Sequence, residues 1–213
     1  MNRAIYWDVP QRSEAWRALR AGKLTASQAK AALAQTKTGS DTAMRRDLRA
    51  KLVTERITGC AEDTGHRTPA MVWGIDHEAE ALRAYAQVSA QRLYQIGFVE
   101  HPDLAAGASP DALTEDGTVI VEVKCPMSHT HAATLRERTI PARHLPQLQH
   151  ALLCCDRADR VEFVSYDPRF PSELRLFHAT LTREEAGLEA YTAQVVKFLE
   201  ECDVDEADLR ALR

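Results

Sequence analysis

Apolar and polar positions alternate along the chain with two distinct periods, and the changes of period predict its elements. Ser13 is placed to cap a first helix carrying Trp16, Leu19 and Arg20, with Gly22 closing it. Thr25-Ala26-Ser27-Gln28 fits the S/T-x-x-E/Q capping box and predicts a helix through about Ala34. A polar loop from Lys37 to Asp41 leads into a basic helix with Arg45, Arg46, Arg49 and Lys51 that stops near Gly59. Thr64 to Pro69 reads as a loop. Thr68-Pro69 supplies the N-cap and first turn of a long helix through Trp73-Gly74 and Glu78 to about Ser89.

Strand periodicity takes over at 92–100 and 118–124, and helical spacing returns at 130–138 and from Pro146 to Cys155. Val161 to Ser165 and Leu174 to Leu181 read as strands, and 183–201 as a last amphipathic helix. There are no internal repeats and no low-complexity tracts. This order predicts an α/β fold with a central mixed β-sheet flanked by helices, in a single domain spanning 1–213.

Composition narrows the class only slightly. No apolar run approaches the ~20 residues of a membrane span, and the N-terminus lacks a signal-peptide pattern. The five cysteines form no CxxC pair, which argues against a disulfide framework or zinc site and for the reducing cytoplasm. Cys125, just after the strand Val119–Lys124, reads as a buried, inert thiol. The net charge of −4 is unevenly spread. Residues 1–56 carry twelve Lys/Arg against five Asp/Glu, whereas 184–213 carry three bases against nine acids. That asymmetry suggests a polarised molecule whose basic side faces a polyanion, although acidic tails also commonly serve solubility.

Chemistry concentrates at Ser109-Pro110-Asp111 and the strand Val119-Ile120-Val121-Glu122-Val123-Lys124. Side chains on a strand alternate, so Ile120, Glu122 and Lys124 share one face, with Glu122 and Lys124 roughly 7 Å apart at their Cα atoms. A Glu-x-Lys on a strand is commonly a solvated face or a cross-strand ion pair. Inside an apolar strand, however, both charges are costly to bury unless compensated. A divalent metal shared by Asp111 and Glu122 would compensate them, leaving Lys124 beside the reacting group. Hard cations are held by such carboxylates together with substrate phosphates. Glu78 follows a glycine that permits close packing, and Gln147-Leu148-Gln149-His150 opens a helix. A lone helical Glu is ordinarily solvated, and the second group would serve equally as a cap. An amide can also orient a water or a phosphate oxygen without adding charge.

Taken together, Leu19-Arg20-x-Gly22-x-x-Thr25-Ala26-Ser27, Trp73-Gly74-x-x-x-Glu78, Ser109-Pro110-Asp111, Glu122-Val123-Lys124-Cys125-Pro126 and Gln147-x-Gln149-His150 resemble the ordered motifs of the lambda exonuclease / YqaJ viral recombinase family. That family belongs to the PD-(D/E)xK restriction-endonuclease-like nucleases. The likeness runs from about Trp16 to Tyr166-Asp167-Pro168, leaving 170–213 as a C-terminal strand and acidic helix. It implies a Mg²⁺-dependent exonuclease that degrades one strand of linear duplex DNA from its 5′ end. Mononucleotides are released, and 3′ overhangs remain for phage-type recombination.

By motif position, Asp111 and Glu122 resemble metal-bridging carboxylates, completed by the Val123 carbonyl, and Glu78 an acid near a second metal. Two Mg²⁺ ions are implied, with Mn²⁺ as a substitute. Lys124 resembles the lysine that orients or deprotonates the attacking water, and Gln147 the glutamine that supports it. A lysine near its free pKa of ~10.4 is protonated at neutral pH. Cations would lower that pKa and Glu122 would raise it, so base and charged stabiliser both remain open.

Arg20, Thr25, Ser27 and Ser109 match a 5′-phosphate pocket, combining an arginine fork with a helix N-terminus. Thr25 is equally an ordinary helix cap. Met71 matches an apolar wedge between terminal base pairs, and Lys37 a contact to the nontransferred strand, although a Met at a helix start is commonly core filler. The resemblance further implies a ring-shaped homotrimer around DNA and a single-strand annealing protein as partner. The alternatives are a non-ring PD-(D/E)xK endonuclease, a RecB-like nuclease module, or a noncatalytic DNA-binding module.

Overall fold

A computed structural model describes residues 5–62 and 68–212, so residues 64–67 of the loop expected from Thr64 to Pro69 lie outside the described residues. The chain runs β1 (Ile5–Tyr6), α1 (Glu14–Arg20), β2 (Leu24–Thr25), α2 (Ala29–Ala32), α3 (Ala43–Thr58), α4 (Pro69–Ser89), β3 (Leu93–Tyr94), β4 (Phe98–Glu100) and β5 (Ala106–Ala108). It continues through β6 (Ala112–Thr114), β7 (Val119–Lys124), α5 (Ser128–Glu137), α6 (Leu145–Cys154), β8 (Arg160–Tyr166), β9 (Leu176–Thr182) and α7 (Leu188–Arg210). The mixed α/β architecture expected from the sequence is present, with the strands divided between two mixed sheets ordered β1-β4-β5-β2 and β3-β6-β7-β8-β9.

The division explains where the strand reading was too coarse. The expected strand 92–100 is two strands, β3 in one sheet and β4 in the other. The chain changes sheets through Gly97, where a Cβ would lie 2.1 Å from the Val9 carbonyl oxygen. β5 reads Ala-Gly-Ala and lacks the branched residues that signal a strand. Its Gly107 lies against the Phe98 ring, with 2.1 Å between a would-be Cβ and that ring.

Alternation along β7 falls as expected. Ile120 enters the larger core with Leu148 and Leu152 of α6 and Phe163 of β8. Val121 and Val123 enter a smaller core with Ala81, Leu82 and Tyr85 of α4. The helices covering the two faces thus bring Gln147 and Glu78 toward the end of β7.

Ser13 and Thr68 cap α1 and α4, each hydroxyl accepting a backbone N–H at 3.2 Å. At the capping box, Gln28 Oε1 accepts from Thr25 N at 3.0 Å and Thr25 Oγ1 at 2.9 Å. The turn that follows is 3₁₀ over Ala26–Gln28, however, and α2 ends at Ala32. The last helix begins after Gly187 (φ 57°) and runs to Arg210, later and longer than the expected 183–201.

The expectation of a basic side facing a polyanion is narrowed here, because part of the basic N-terminal region pairs with the acidic C-terminal helix. Arg45 of α3, with its side chain 3% exposed, contacts Asp41 at 2.6 Å and Glu201 of α7 at 2.5 Å. Arg49 reaches Asp205 at 2.7 Å and Arg56 reaches Asp203 at 2.7 Å. Three of the basic residues of 1–56 are thus neutralised by acids of α7. All five cysteines are free thiols, of which Cys60 alone is exposed. Among the described residues no helix is long and apolar enough to cross a membrane.

Candidate active site

The candidate site lies where the chain crosses between the two sheets. Ser109-Pro110-Asp111 is the crossing from β5 to β6, and Gln95-Ile96-Gly97 is the crossing from β3 to β4. Gln11 ties the two together, its Nε2 donating to Ile96 O at 2.9 Å and to Pro110 O at 3.0 Å. A cleft of about 560 Å³ opens at this junction. Asp111, Glu122, Val123, Lys124, Glu78 and Gln147 all line it, as do Arg20, Ser27, Ser109 and Met71.

Strand register sets the carboxylate pair. β6 and β7 pair antiparallel as Ala112↔Val121 and Leu113↔Ile120, and one further step places Asp111 across from Glu122. Asp111 Oδ2 accepts the Val123 N–H at 2.6 Å. Glu122 Oε1 accepts from Lys124 Nζ at 2.5 Å and also from Gln147 Nε2. Glu122 is only 2% exposed. Glu78 is turned to Arg12, with 2.8 Å between its Oε2 and the guanidinium.

The electrostatics follow from this crowding. Burial, and then the facing Glu122, push the Asp111 carboxyl well above the ordinary carboxylate range. Burial alone would depress Lys124, but Glu122 and Asp111 outweigh it and hold the ammonium above its usual pKa. Burial and the neighbouring acids push Cys125 up to about 12, as an inert thiol requires. Two opposed carboxylates form an all-oxygen donor set with surplus negative charge, which suits a hard divalent cation that retains waters. Among the described residues no three His, Cys, Asp or Glu side chains converge on one point, and Glu78 is held by Arg12. Asp111 and Glu122 are the side chains that could hold such a cation.

A second cluster borders the first. Arg20 donates to Ser109 Oγ and to Thr25 Oγ1, each at 3.3 Å, and its guanidinium lies 4.0 Å from the Trp16 ring centroid. Trp16 Nε1 also donates to Ser109 Oγ at 2.9 Å. Burial lowers Arg20 to about 10, partly offset by Glu55, so it stays cationic at neutral pH. Thr25 is 1% exposed and its hydroxyl is engaged by Gln28 and Arg20. Thr25 therefore backs the pocket, while Ser27 reaches the cleft.

Other residues fall elsewhere. Lys37 sits on an exposed loop outside the cleft lining. Gln149 donates to Ala186 O at 2.8 Å. His150 is buried between Tyr191 Oη at 2.8 Å and Leu24 O at 3.1 Å, and burial lowers it to about 4. Met71 is 52% exposed on the cleft, so it is not core filler. Sequence reasoning missed Arg12, Arg143 and His144, all of which line the cleft. His144 is lowered to about 4 by burial and by Lys124, and so faces the site as a neutral imidazole. No local pattern singles these residues out.

A mixed sheet whose strand end carries Asp111 opposite Glu122-x-Lys124 defines a nuclease of the PD-(D/E)xK, restriction-endonuclease-like class. The chain belongs to the YqaJ-like viral recombinase family, the lambda exonuclease family, whose sequence profile matches residues 15–158. It is similar to the alkaline exonuclease LHK-Exo from Laribacter hongkongensis, with 30% identity over 93% of this chain and 97% of that one at a TM-score of 0.82. The structure of LHK-Exo in complex with dAMP superposes equally well, with TM-score 0.82, 30% identity and the same 93% and 97% coverage. A phage-related exonuclease from Haemophilus somnus 129PT matches at 13% identity over 91% of this chain and 99% of that one, with a TM-score of 0.67; that likeness shows the fold alone. No curated protein matches the chain significantly.

Proposed function

We propose that the chain is a Mg²⁺-dependent 5′-to-3′ exonuclease that degrades one strand of linear duplex DNA to mononucleotides and leaves 3′ overhangs for phage-type recombination. One observation carries this reading. Ser109, in contact with Arg20, and Asp111, opposite Glu122, lie two residues apart on one turn and line one cleft. A phosphate gripped by Arg20 would thus lie beside the hydrolytic group, so the bond cut is the one nearest the gripped end. The dAMP complex of LHK-Exo supports a mononucleotide product.

In this reading Asp111, Glu122 and the Val123 carbonyl hold a divalent cation, with Glu78 beside a second. The chemistry supplied by bound cations is activation of water and neutralisation of charge developing on the phosphoryl oxygens. Lys124 and Gln147 fix Glu122 through its shared Oε1 and keep donors beside the scissile phosphate. Arg20 grips the terminal phosphate with Ser27 and Ser109, and the Trp16 ring holds the guanidinium in place. Met71 is positioned as the wedge at the entering duplex. A ring of three copies and a single-strand annealing partner complete the reading, and native mass measurement tests the former.

Linear and covalently closed circular duplexes of one sequence test the proposal. Mg²⁺-dependent release of nucleotides from the linear form alone is expected, whereas cleavage of the closed circle would contradict it in favour of an endonuclease. Arg20→Ala is expected to reduce the preference for 5′-phosphorylated over 5′-hydroxyl ends by about tenfold or more, since hydrogen bonds to charged groups contribute about 1.5–3 kcal/mol. Initial rates on the two kinds of end measure it, and an unchanged ratio would remove Arg20 from the pocket.

A further inference from the structure

Arg12 stands in the cleft wall and touches the first cluster only through Glu78. Its backbone has φ 71°, in the left-handed region that a residue with a side chain adopts only under strain. The flanking residues impose that conformation. Gln11 is tied to both sheet crossings through Ile96 and Pro110. Ser13 caps α1, and its N–H donates to Pro10 O at 3.2 Å. Glycine would satisfy this backbone at less cost, so the arginine side chain is what the position adds. That side chain ends 2.8 Å from Glu78 Oε2, on the solvent side of it, at 39% exposure against 18% for Glu78.

We propose that Arg12 is a positioning residue of the reaction: it neutralises Glu78 in the free protein and yields it to a cation when substrate phosphates enter the cleft. This rests on the reading of Glu78 as a ligand beside the second cation. A guanidinium fixed on a carboxylate competes with a cation for that carboxylate and repels the cation by like charge. Entering phosphates reverse the balance, because an arginine fork pairs bidentately with phosphate and this side chain is exposed enough to turn toward it. Uptake of the cation beside Glu78 would thereby be coupled to substrate. The coupling is reciprocal, so removing Arg12 tightens the cation in the absence of DNA and weakens the hold on DNA.

Arg12→Gly suits φ 71° and keeps the fold, while Arg12→Lys keeps the charge. Mn²⁺ is titrated into the DNA-free proteins and followed by electron paramagnetic resonance, and KM and kcat are measured on linear duplex. The expected result is uptake of a second Mn²⁺ by Arg12→Gly at about tenfold lower concentration than by the wild type, within the usual range of coupling. Its KM for duplex rises by a similar factor, with a smaller change in kcat, and Arg12→Lys restores both properties in part. Identical Mn²⁺ uptake by wild type and Arg12→Gly, or an unchanged KM, overturns the proposal. If Asp111→Asn still abolishes Mn²⁺ uptake in that case, the reading of the metal site stands. If the wild type takes up no Mn²⁺, that reading fails and the role of Arg12 falls with it.

Discussion

Asp111→Asn is expected to lower nuclease turnover by about 10³-fold while raising the melting temperature of the cation-free protein. The loss follows from removing one of two carboxylates that fit the cation, since electrostatic groups aimed at the reacting centre contribute about 10²–10³ each and cation binding depends on this one. The gain follows from the crowding opposite Glu122, which holds the Asp111 carboxyl well above its ordinary range. An asparagine oxygen still accepts the Val123 N–H but carries no charge to repel Glu122.

A carboxyl raised by folding binds more protons in the native state than in the unfolded state between its two pKa values. It therefore costs stability as pH rises from the ordinary carboxylate range through the raised value. Relief of about 1 kcal/mol corresponds to roughly 2–4 °C for a chain of this size. The gain is expected at neutral pH and should vanish below the ordinary carboxylate range. Thermal unfolding across pH checks it, and a lower melting temperature for Asp111→Asn at neutral pH would contradict the crowding.

Arg45→Ala should destabilise the fold by about 2–3 kcal/mol and lower the melting temperature by roughly 4–12 °C. Arg45 is buried against the Phe198 ring, 5.0 Å from its centroid, and its Nε donates to the Ala32 carbonyl at 2.7 Å. It also links Asp41 to Glu201, so its removal takes a donor from each of them and from the Ala32 carbonyl. Arg49 still reaches Asp41 and Glu201, which keeps the loss below that of a wholly unpaired buried charge. Glu201→Gln should cost no more than about 1 kcal/mol, because the glutamate is partly exposed and shares its donors. Urea unfolding of the two variants measures the asymmetry. An Arg45→Ala loss below that of Glu201→Gln would show that the α3–α7 pairing does not hold the helices together.

The chemistry at β7 was legible because a six-residue strand of branched residues has a strong period, and two charges on one face of it stand out. The caps at Ser13 and Thr68 were legible for the same local reason. What stayed hidden depends on contacts distant in sequence. The basic stretch around Arg45 looked like a surface for a polyanion because its partner, Glu201, lies 156 residues away. Thr25 belonged to the phosphate motif, yet its burial behind Arg20 appears only once Ser109 is brought across from β5. Gln147, Gln149 and His150 looked alike at the start of one helix, and only the packing of α6 on Ile120 sends Gln147 to Glu122, Gln149 to the Ala186 carbonyl and His150 into the core. Arg12 carries its signal in a backbone angle that no residue pattern announces.

Linear duplexes bearing a 5′ phosphate at one end and a 5′ hydroxyl at the other, each strand separately labelled, test the central claim most directly. In Mg²⁺, the account predicts that mononucleotides appear first from the phosphorylated strand, that the complementary strand survives as a 3′ overhang, and that Asp111→Asn releases them about 10³-fold more slowly. Equal loss of both strands, or release from internal positions, would contradict it.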